Sequence, residues 1–127
     1  MIFGIGIDIV AVSRIARWVV KSNEGSGILA RFFPESEISD TLKLGAERAL
    51  GLAARFAAKE AFGKALGTGL KGIRLKDIAV KKTRAGQPEL VLSGTAQQAT
   101  ERLGIQKAFV SLSHEKDFAV AVVILEK

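Results

Sequence analysis

The chain has 127 residues, of which 48% are hydrophobic and 25% are charged, a balance typical of one globular domain over residues 1–127. It contains no cysteine, which excludes disulfides, thiolate metal sites and cysteine nucleophiles. Nineteen basic residues against thirteen acidic ones give a net charge of +6, which predicts an anionic partner such as nucleic acid, an acidic protein or a polyphosphate.

No segment predicts a membrane span. The longest apolar run covers residues 118–125, whereas a spanning helix needs roughly 20 residues. The first residues lack the basic segment and the small-residue cleavage site of a signal peptide. Together with the absence of cysteine, these features favour a cytoplasmic protein without a membrane partner.

The first half of the chain predicts one strand followed by helices. Residues 2–10 supply Ile and Val almost continuously, which predicts a strand buried on both faces. Ser13 is a suitable N-cap for a helix over residues 13–22. Further helices are predicted over residues 28–33, 35–42 and 47–66. The first helix carries cations on one face, at Arg14, Arg17 and Lys21.

The second half predicts strands on either side of one more helix. Strands are predicted at residues 77–83, 89–92, 107–113 and 117–126, with the helix at 93–103. Residues 85–88, Ala-Gly-Gln-Pro, indicate a turn between the first two of these strands. In residues 107–113 the apolar side chains alternate, with Ala108, Val110 and Leu112 on one side.

Two carboxylates occupy unusual places. Asp8 lies within an apolar run, and Glu60 lies within an alanine-rich segment that contains phenylalanines. A charged carboxylate is costly to bury unless a cation or several donors meet it. A hard cation such as Mg²⁺ is typically held by one or two carboxylates and substrate phosphates, so a shared metal site is one interpretation. The alternatives are that Asp8 caps the helix near Ser13 and that Glu60 pairs with Lys64.

Other charged residues leave similar alternatives open. Arg55 and Lys59 form a row beside Glu60 and Lys64, which could reach a polyphosphate or could be a solvated helix face. His114 is the only histidine and lies where two predicted strands turn. Three roles are open for His114: a phosphate ligand, an acid–base group or an ordinary turn residue.

Three blocks carry a resemblance to a known family. They are residues 4–10 (Gly-Ile-Gly-Ile-Asp-Ile-Val), residues 55–69 (Arg-Phe-Ala-Ala-Lys-Glu-Ala-Phe-Gly-Lys-Ala-Leu-Gly-Thr-Gly) and residues 111–121 (Ser-Leu-Ser-His-Glu-Lys-Asp-Phe-Ala-Val-Ala). The chain resembles the 4'-phosphopantetheinyl transferases, in their short bacterial class of holo-[acyl-carrier-protein] synthases. This resemblance implies an α+β fold in which a small antiparallel sheet packs against a long helix. It also implies a homotrimer with sites at subunit boundaries.

The resemblance implies a reaction as well. The 4'-phosphopantetheine arm of coenzyme A is moved to a serine of apo-acyl carrier protein, releasing adenosine 3',5'-bisphosphate and supporting fatty acid biosynthesis. Mg²⁺ is expected to be held by Asp8 and Glu60 together with the pyrophosphate of coenzyme A. Either Glu60 or a metal-associated water takes the serine proton. Lys64 is expected to neutralise the phosphates and is a candidate to protonate the leaving group.

The remaining site residues follow from the same resemblance. Coenzyme A contacts are expected from Asp8, Arg55, Lys64, Gly86, Pro88 and His114. A docking surface for the acidic carrier protein is expected from Arg14, Arg17, Lys21 and the nearby Trp18.

Two competing functions are weighed against the transferase. A small basic nucleic-acid-binding module is compatible with the charge, but the chain has no tyrosine and none of the aromatic-basic motifs of RNA-binding sheets. A binder of acidic proteins without catalysis, or a silent paralogue, would have no use for Asp8 and Glu60 as a carboxylate pair. The sequence therefore favours a transferase without a nucleic-acid partner.

Overall fold

The fold is built around its longest helix. A computed structural model describes residues 1–127. The elements follow in the order β1 (Ile2–Ala11), α1 (Val12–Asn23), α2 (Ile28–Phe32), α3 (Glu35–Leu42), α4 (Arg48–Leu66), β2 (Ile78–Lys82), β3 (Pro88–Leu92), α5 (Gly94–Arg102), β4 (Lys107–His114) and β5 (Phe118–Glu126). Short 3₁₀ turns at Gly45–Glu47 and Leu75–Asp77 precede α4 and β2. None of the helices combines the length and the apolar character that crossing a bilayer requires.

The strands form two antiparallel sheets. The larger has three strands in the order β1-β5-β4, and the smaller is the β2–β3 hairpin. Helix α4 packs against β1 and β5, and one cluster of 22 buried hydrophobic residues forms the core. The predicted α+β fold with an antiparallel sheet against a long helix is therefore confirmed.

The backbones of β1 and α4 approach each other directly. A Cβ atom added at Gly6 would overlap the carbonyl oxygen of Ala61, and one added at Gly4 would overlap that of Ala65. Ala61 and Ala65 are themselves buried and small. Because side chains alternate along a strand, Asp8 lies on the same face of β1 as Gly4 and Gly6 and therefore faces α4.

Within the single chain, the prediction that β1 is buried on both faces is wrong. Ile5, Ile7 and Ile9 are 60%, 58% and 62% exposed, because they lie on the face of the sheet that α4 does not cover. The inward positions that alternate with these isoleucines are Gly4, Gly6 and Asp8, so the large apolar side chains of residues 5–9 all lie on the open face. The predicted alternation in β4 holds: Val110 and Leu112 pack against the core, whereas Phe109 is 50% exposed.

The predicted N-cap of the first helix is also wrong. Helix α1 begins at Val12, its cap position is Ala11, and no side chain caps it. The Val12 N–H donates to the carbonyl of Asp117 at 2.9 Å instead, so a backbone contact from the β4–β5 turn satisfies this end. Ser13 therefore lies inside the helix.

A buried ion pair joins α3 to α4. Lys59 Nζ lies 2.5 Å from Glu37 Oε1, and both residues are fully buried. Burial lowers the pKa of Lys59, and the Glu37 carboxylate opposes this shift. The interpretation that Lys59 reaches a polyphosphate is wrong, because this ammonium group is enclosed by the protein. Glu37 was not singled out by any sequence pattern.

We expect Gly6→Ala to destabilise the fold by about 2 kcal/mol or more, because the new methyl group cannot be accommodated without moving α4 away from β1. Gly27→Ala is the matched control: it has open space and φ of −87°, so its free energy of unfolding should change by less than about 1 kcal/mol. Urea denaturation of both variants measures the difference. Equal stabilities would show that the contact between β1 and α4 is looser than the structure indicates.

Candidate active site

The contact between β1 and α4 places two carboxylates together. Partial burial and, secondarily, the negative charge of Asp8 raise the pKa of Glu60, while Arg14 and Lys64 oppose the shift. Lys64 Nζ lies 3.0 Å from Asp8 Oδ1 and donates to the Ile7 carbonyl at 2.9 Å. The predicted approach of Asp8, Glu60 and Lys64 is therefore present within one chain.

Both simpler interpretations of these carboxylates are wrong. Asp8 does not cap α1, whose first turn has no side-chain cap. The structure has two ion pairs, Glu37–Lys59 and Asp8–Lys64, and Glu60 belongs to neither. Glu60 is thus a half-buried carboxylate beside another carboxylate without a direct cationic partner.

The two carboxylates are suitable ligands for a hard divalent cation whose coordination shell is completed by other ligands. Asp8 and Glu60 supply oxygen donors, and no group of three or more His, Cys, Asp or Glu side chains is present to enclose a metal. Mg²⁺ commonly binds through one or two carboxylates, waters and substrate phosphates. A cation between the two carboxylates would also offset the repulsion that raises the pKa of Glu60.

Arg14 lies on the same side of α4 as this pair. Its guanidinium carbon is 5.1 Å from the centroid of the Phe56 ring and 5.4 Å from that of Trp18. Trp18 stacks on Phe32 with a centroid separation of 5.0 Å, so the indole is part of an aromatic cluster. The positive charge of Arg14 opposes part of the rise in the pKa of Glu60, so this part of α1 lies close enough to act on the carboxylates.

The other two cations of α1 lie apart from that cluster. Arg17 and Lys21 are exposed and line a shallow groove together with Ala16, Val20 and Glu24. The row predicted from the sequence therefore has two environments: Arg14 beside the carboxylates, and Arg17 with Lys21 at an open surface.

A cleft of about 560 Å³ brings together four of the residues expected to contact coenzyme A. They are Arg55, Gly86, Pro88 and His114. Arg55 is 8% exposed and donates from Nη1 to the Gly51 carbonyl at 3.0 Å, whereas its buried Nε has no hydrogen-bond partner. Arg55 lines the cleft, and a guanidinium group there is suited to binding an anionic acceptor.

The sequence did not reveal the remaining charges of this cleft. Lys43 and Lys82 add positive charge, and Asp40 and Glu47 add negative charge. Three of them lie between the end of α3 and the turn before α4, whereas Lys82 lies at the end of β2, so no local spacing connects it to the others. The general excess of basic residues is a sequence signal for the two lysines only.

The carboxylate pair and the cleft are separate features of one chain. Neither Asp8 nor Glu60 lines the cleft. Arg55 and Glu60 are five positions apart on α4, which corresponds to about 140° around the helix axis and about 7.5 Å along it. One subunit therefore presents two groups of expected site residues on different sides of its central helix.

The chain matches a known protein family over nearly its whole length. Residues 4–123 match the family model of the 4'-phosphopantetheinyl transferase superfamily. The holo-[acyl-carrier-protein] synthase of Treponema denticola is 52% identical over 126 residues, covering 99% of each chain.

Solved structures agree in fold along the whole chain. The holo-[acyl-carrier-protein] synthase of Neisseria meningitidis aligns with a TM-score of 0.88 at 36% identity, covering 100% of both chains. The enzyme of Helicobacter pylori, solved in complex with coenzyme A, aligns with a TM-score of 0.79 at 35% identity, covering 96% of this chain and 99% of that one. The chain belongs to the holo-[acyl-carrier-protein] synthase family.

Proposed function

We propose that the protein transfers 4'-phosphopantetheine from coenzyme A to a serine of apo-acyl carrier protein, giving holo-acyl carrier protein and adenosine 3',5'-bisphosphate. The observation that carries this proposal is the 52% identity to a holo-[acyl-carrier-protein] synthase across 99% of the chain. The adjacent carboxylates Asp8 and Glu60 give the chain the oxygen donors that chemistry at a pyrophosphate needs. The coenzyme A complex of a relative supports the choice of donor.

The serine oxygen forms the new bond to phosphorus while the bond from that phosphorus to the adenosine bisphosphate oxygen breaks. Asp8 and Glu60 would hold Mg²⁺, which when bound offsets negative charge on the pyrophosphate. The ammonium group of Lys64, held by Asp8 and the Ile7 carbonyl, adds a second positive charge and is the candidate donor to the leaving group. Its two hydrogen bonds fix the position of that ammonium.

The serine proton goes either to Glu60 or to a water beside it. A raised pKa makes the Glu60 carboxylate a better proton acceptor than an ordinary glutamate. A cation on the same carboxylate would lower that pKa and favour the water. The protein environment alone therefore favours Glu60 as the base, and a bound cation would reduce the basicity of this carboxylate.

Carrier-protein docking is proposed at α1. Arg17 and Lys21 line an open groove and would attract the carboxylates of an acidic partner, and the adjoining Arg14 leads from that groove to Glu60. Trp18 supports this surface from behind by stacking on Phe32.

A homotrimer with shared sites is proposed as well. The sheet face opposite α4 is apolar and open: Ile5, Ile7, Ile9, Phe109 and Phe118 are each 48% exposed or more. Contiguous apolar patches of this kind mark interfaces. A head-to-tail ring of subunits uses two different surfaces of each chain. Such a ring would bring Glu60 of one subunit to the Arg55 cleft of the next, which one chain keeps apart.

The domain organisation, the cellular location and the metabolic role are the remaining predictions. The single buried core supports one transferase domain over residues 1–127. The cytoplasmic location and the role in fatty acid biosynthesis stay predictions.

Incubation with coenzyme A, Mg²⁺ and apo-acyl carrier protein should increase the carrier mass by one phosphopantetheine group, and EDTA should abolish the reaction. Asp8→Ala and Glu60→Ala should each lower the rate about 100-fold or more, because each removes a metal ligand. Glu101→Ala, on exposed α5, serves as the control with an unchanged rate. Absence of transfer to several carriers, or full activity in EDTA, would contradict the proposal.

Arg17→Glu should raise the KM for the carrier several-fold and reduce its dependence on salt, with little change in kcat, because it reverses one attractive charge. Arg102→Glu is the matched charge reversal on α5 and should leave this KM unchanged. Steady-state kinetics at two ionic strengths provides the measurement. An equal effect of both variants would indicate a dependence on net charge rather than docking at α1.

Shared sites can be tested by mixing two inactive variants. An equimolar mixture of Glu60→Ala and Arg55→Ala should, after random subunit exchange, recover activity at about a quarter of all sites, where an intact carboxylate pair meets an intact cleft. Mixing Glu60→Ala with Asp8→Ala is the control and should recover none, since both changes damage the same half. Native mass spectrometry verifies subunit exchange. Confirmed mixed trimers without recovery would place the complete site within one chain.

A further inference from the structure

Two buried side chains occupy the place of a neighbouring strand beside β2. The β2–β3 hairpin is a sheet of two strands, so one edge of β2 has no strand partner. Glu37 Oε2 accepts the N–H of Val80 at 2.9 Å, and Lys59 Nζ donates to the carbonyl of Ile78. The ion pair between Glu37 and Lys59 therefore connects α3, α4 and the free edge of β2 at one point.

This arrangement is better suited to fixing geometry than to adding stability. Both side chains are fully buried, and desolvation of two charges offsets much of their attraction. Hydrogen bonds to Val80 and Ile78 are directional, so the pair is satisfied in one relative placement of the three elements. A purely apolar contact at this point would allow sliding that these bonds prevent.

All three connected elements lead directly to the cleft. Asp40 follows Glu37 by three residues on α3, and Lys82 follows Val80 by two residues on β2. Arg55 precedes Lys59 by one turn of α4. Each wall of the cleft is thus attached to the ion pair through a short, regular stretch of backbone.

We propose that the Glu37–Lys59 pair is a positioning element for coenzyme A binding, setting the distance between the walls that carry Lys82, Arg55 and Asp40. The identity of the ligand rests on the proposed function. Neither Glu37 nor Lys59 lines the cleft, so both act through the backbone they hold.

Glu37 variants provide the test, because Lys59 adjoins Glu60 in sequence. Glu37→Gln keeps an acceptor for the Val80 N–H but removes the negative charge that pairs with Lys59. Glu37→Ala removes both. Leu103→Ala is the matched destabilised control: this side chain packs against the core at the end of α5 and does not line the cleft.

The measurements are the Kd of coenzyme A by calorimetry and amide hydrogen exchange, both on the full chain well below its Tm. Glu37→Ala should raise this Kd about tenfold, since small misplacements of binding groups are costly, and Glu37→Gln should raise it less. Exchange should accelerate in residues 40–47 and 81–88. Leu103→Ala should lower Tm to a similar extent with Kd and exchange in these segments unchanged. The KM for the carrier should be unchanged in every variant.

A lower Tm with an unchanged Kd for coenzyme A and unchanged hydrogen exchange in residues 40–47 and 81–88 would overturn the positioning role. The pair would then have a structural role only. If Glu37→Ala does not fold, the same two readouts on Glu37→Gln decide the question. A wild-type chain that fails to bind coenzyme A would contradict the proposed function. In that case unchanged exchange in residues 40–47 and 81–88 of Glu37→Gln would still overturn the positioning role, and faster exchange there would still support it.

Discussion

Helix α4 packs on β1 with backbone against backbone, and this contact determines where the expected site residues lie. Gly4 and Gly6 leave no space for side chains between the strand and the carbonyl groups of Ala61 and Ala65. The next residue on that face of β1, Asp8, consequently lies beside the helix that carries Glu60 and Lys64. The opposite side of the same helix remains available for Arg55 and the cleft. The contact between β1 and α4 thus brings Asp8 close to Glu60. The helical geometry of α4 keeps this carboxylate pair apart from Arg55 and the cleft.

Glu37 and Glu60 lie in opposite electrostatic environments. Glu37 is fully buried but is met by Lys59 and by the Val80 N–H, so its charge is compensated. Glu60 is half-buried beside Asp8, has no ion pair, and has a raised pKa. Uncompensated charge is unfavourable for the isolated fold and is typical of sites that bind or react. This contrast supports the proposed role of Glu60, rather than Glu37, in the reaction.

Most of the fold could be predicted from the sequence, because hydrophobic periodicity and glycine or proline positions determine where elements begin and end. The two faces of β1 could not, since periodicity does not show that Gly4 and Gly6 take the inward positions on either side of Ile5. Within the site, the spacing of Glu60 and Lys64 suggested a pair, yet Lys64 binds Asp8 from a distant strand. The sequence leaves Lys59 open between a phosphate contact and a solvated helix face, and both alternatives are wrong because Lys59 is buried against Glu37. Partners distant in the sequence account for both of these errors within the site.

We propose that β1 and α4 together create one divalent-cation site from Asp8 and Glu60. Calorimetric titration of Mg²⁺ into the protein with coenzyme A present is the test of this site. One Mg²⁺ is expected to bind per chain, with binding lost in both Asp8→Asn and Glu60→Gln and retained in Glu101→Gln. Mg²⁺ binding by both site variants with the affinity of the wild-type chain would contradict it.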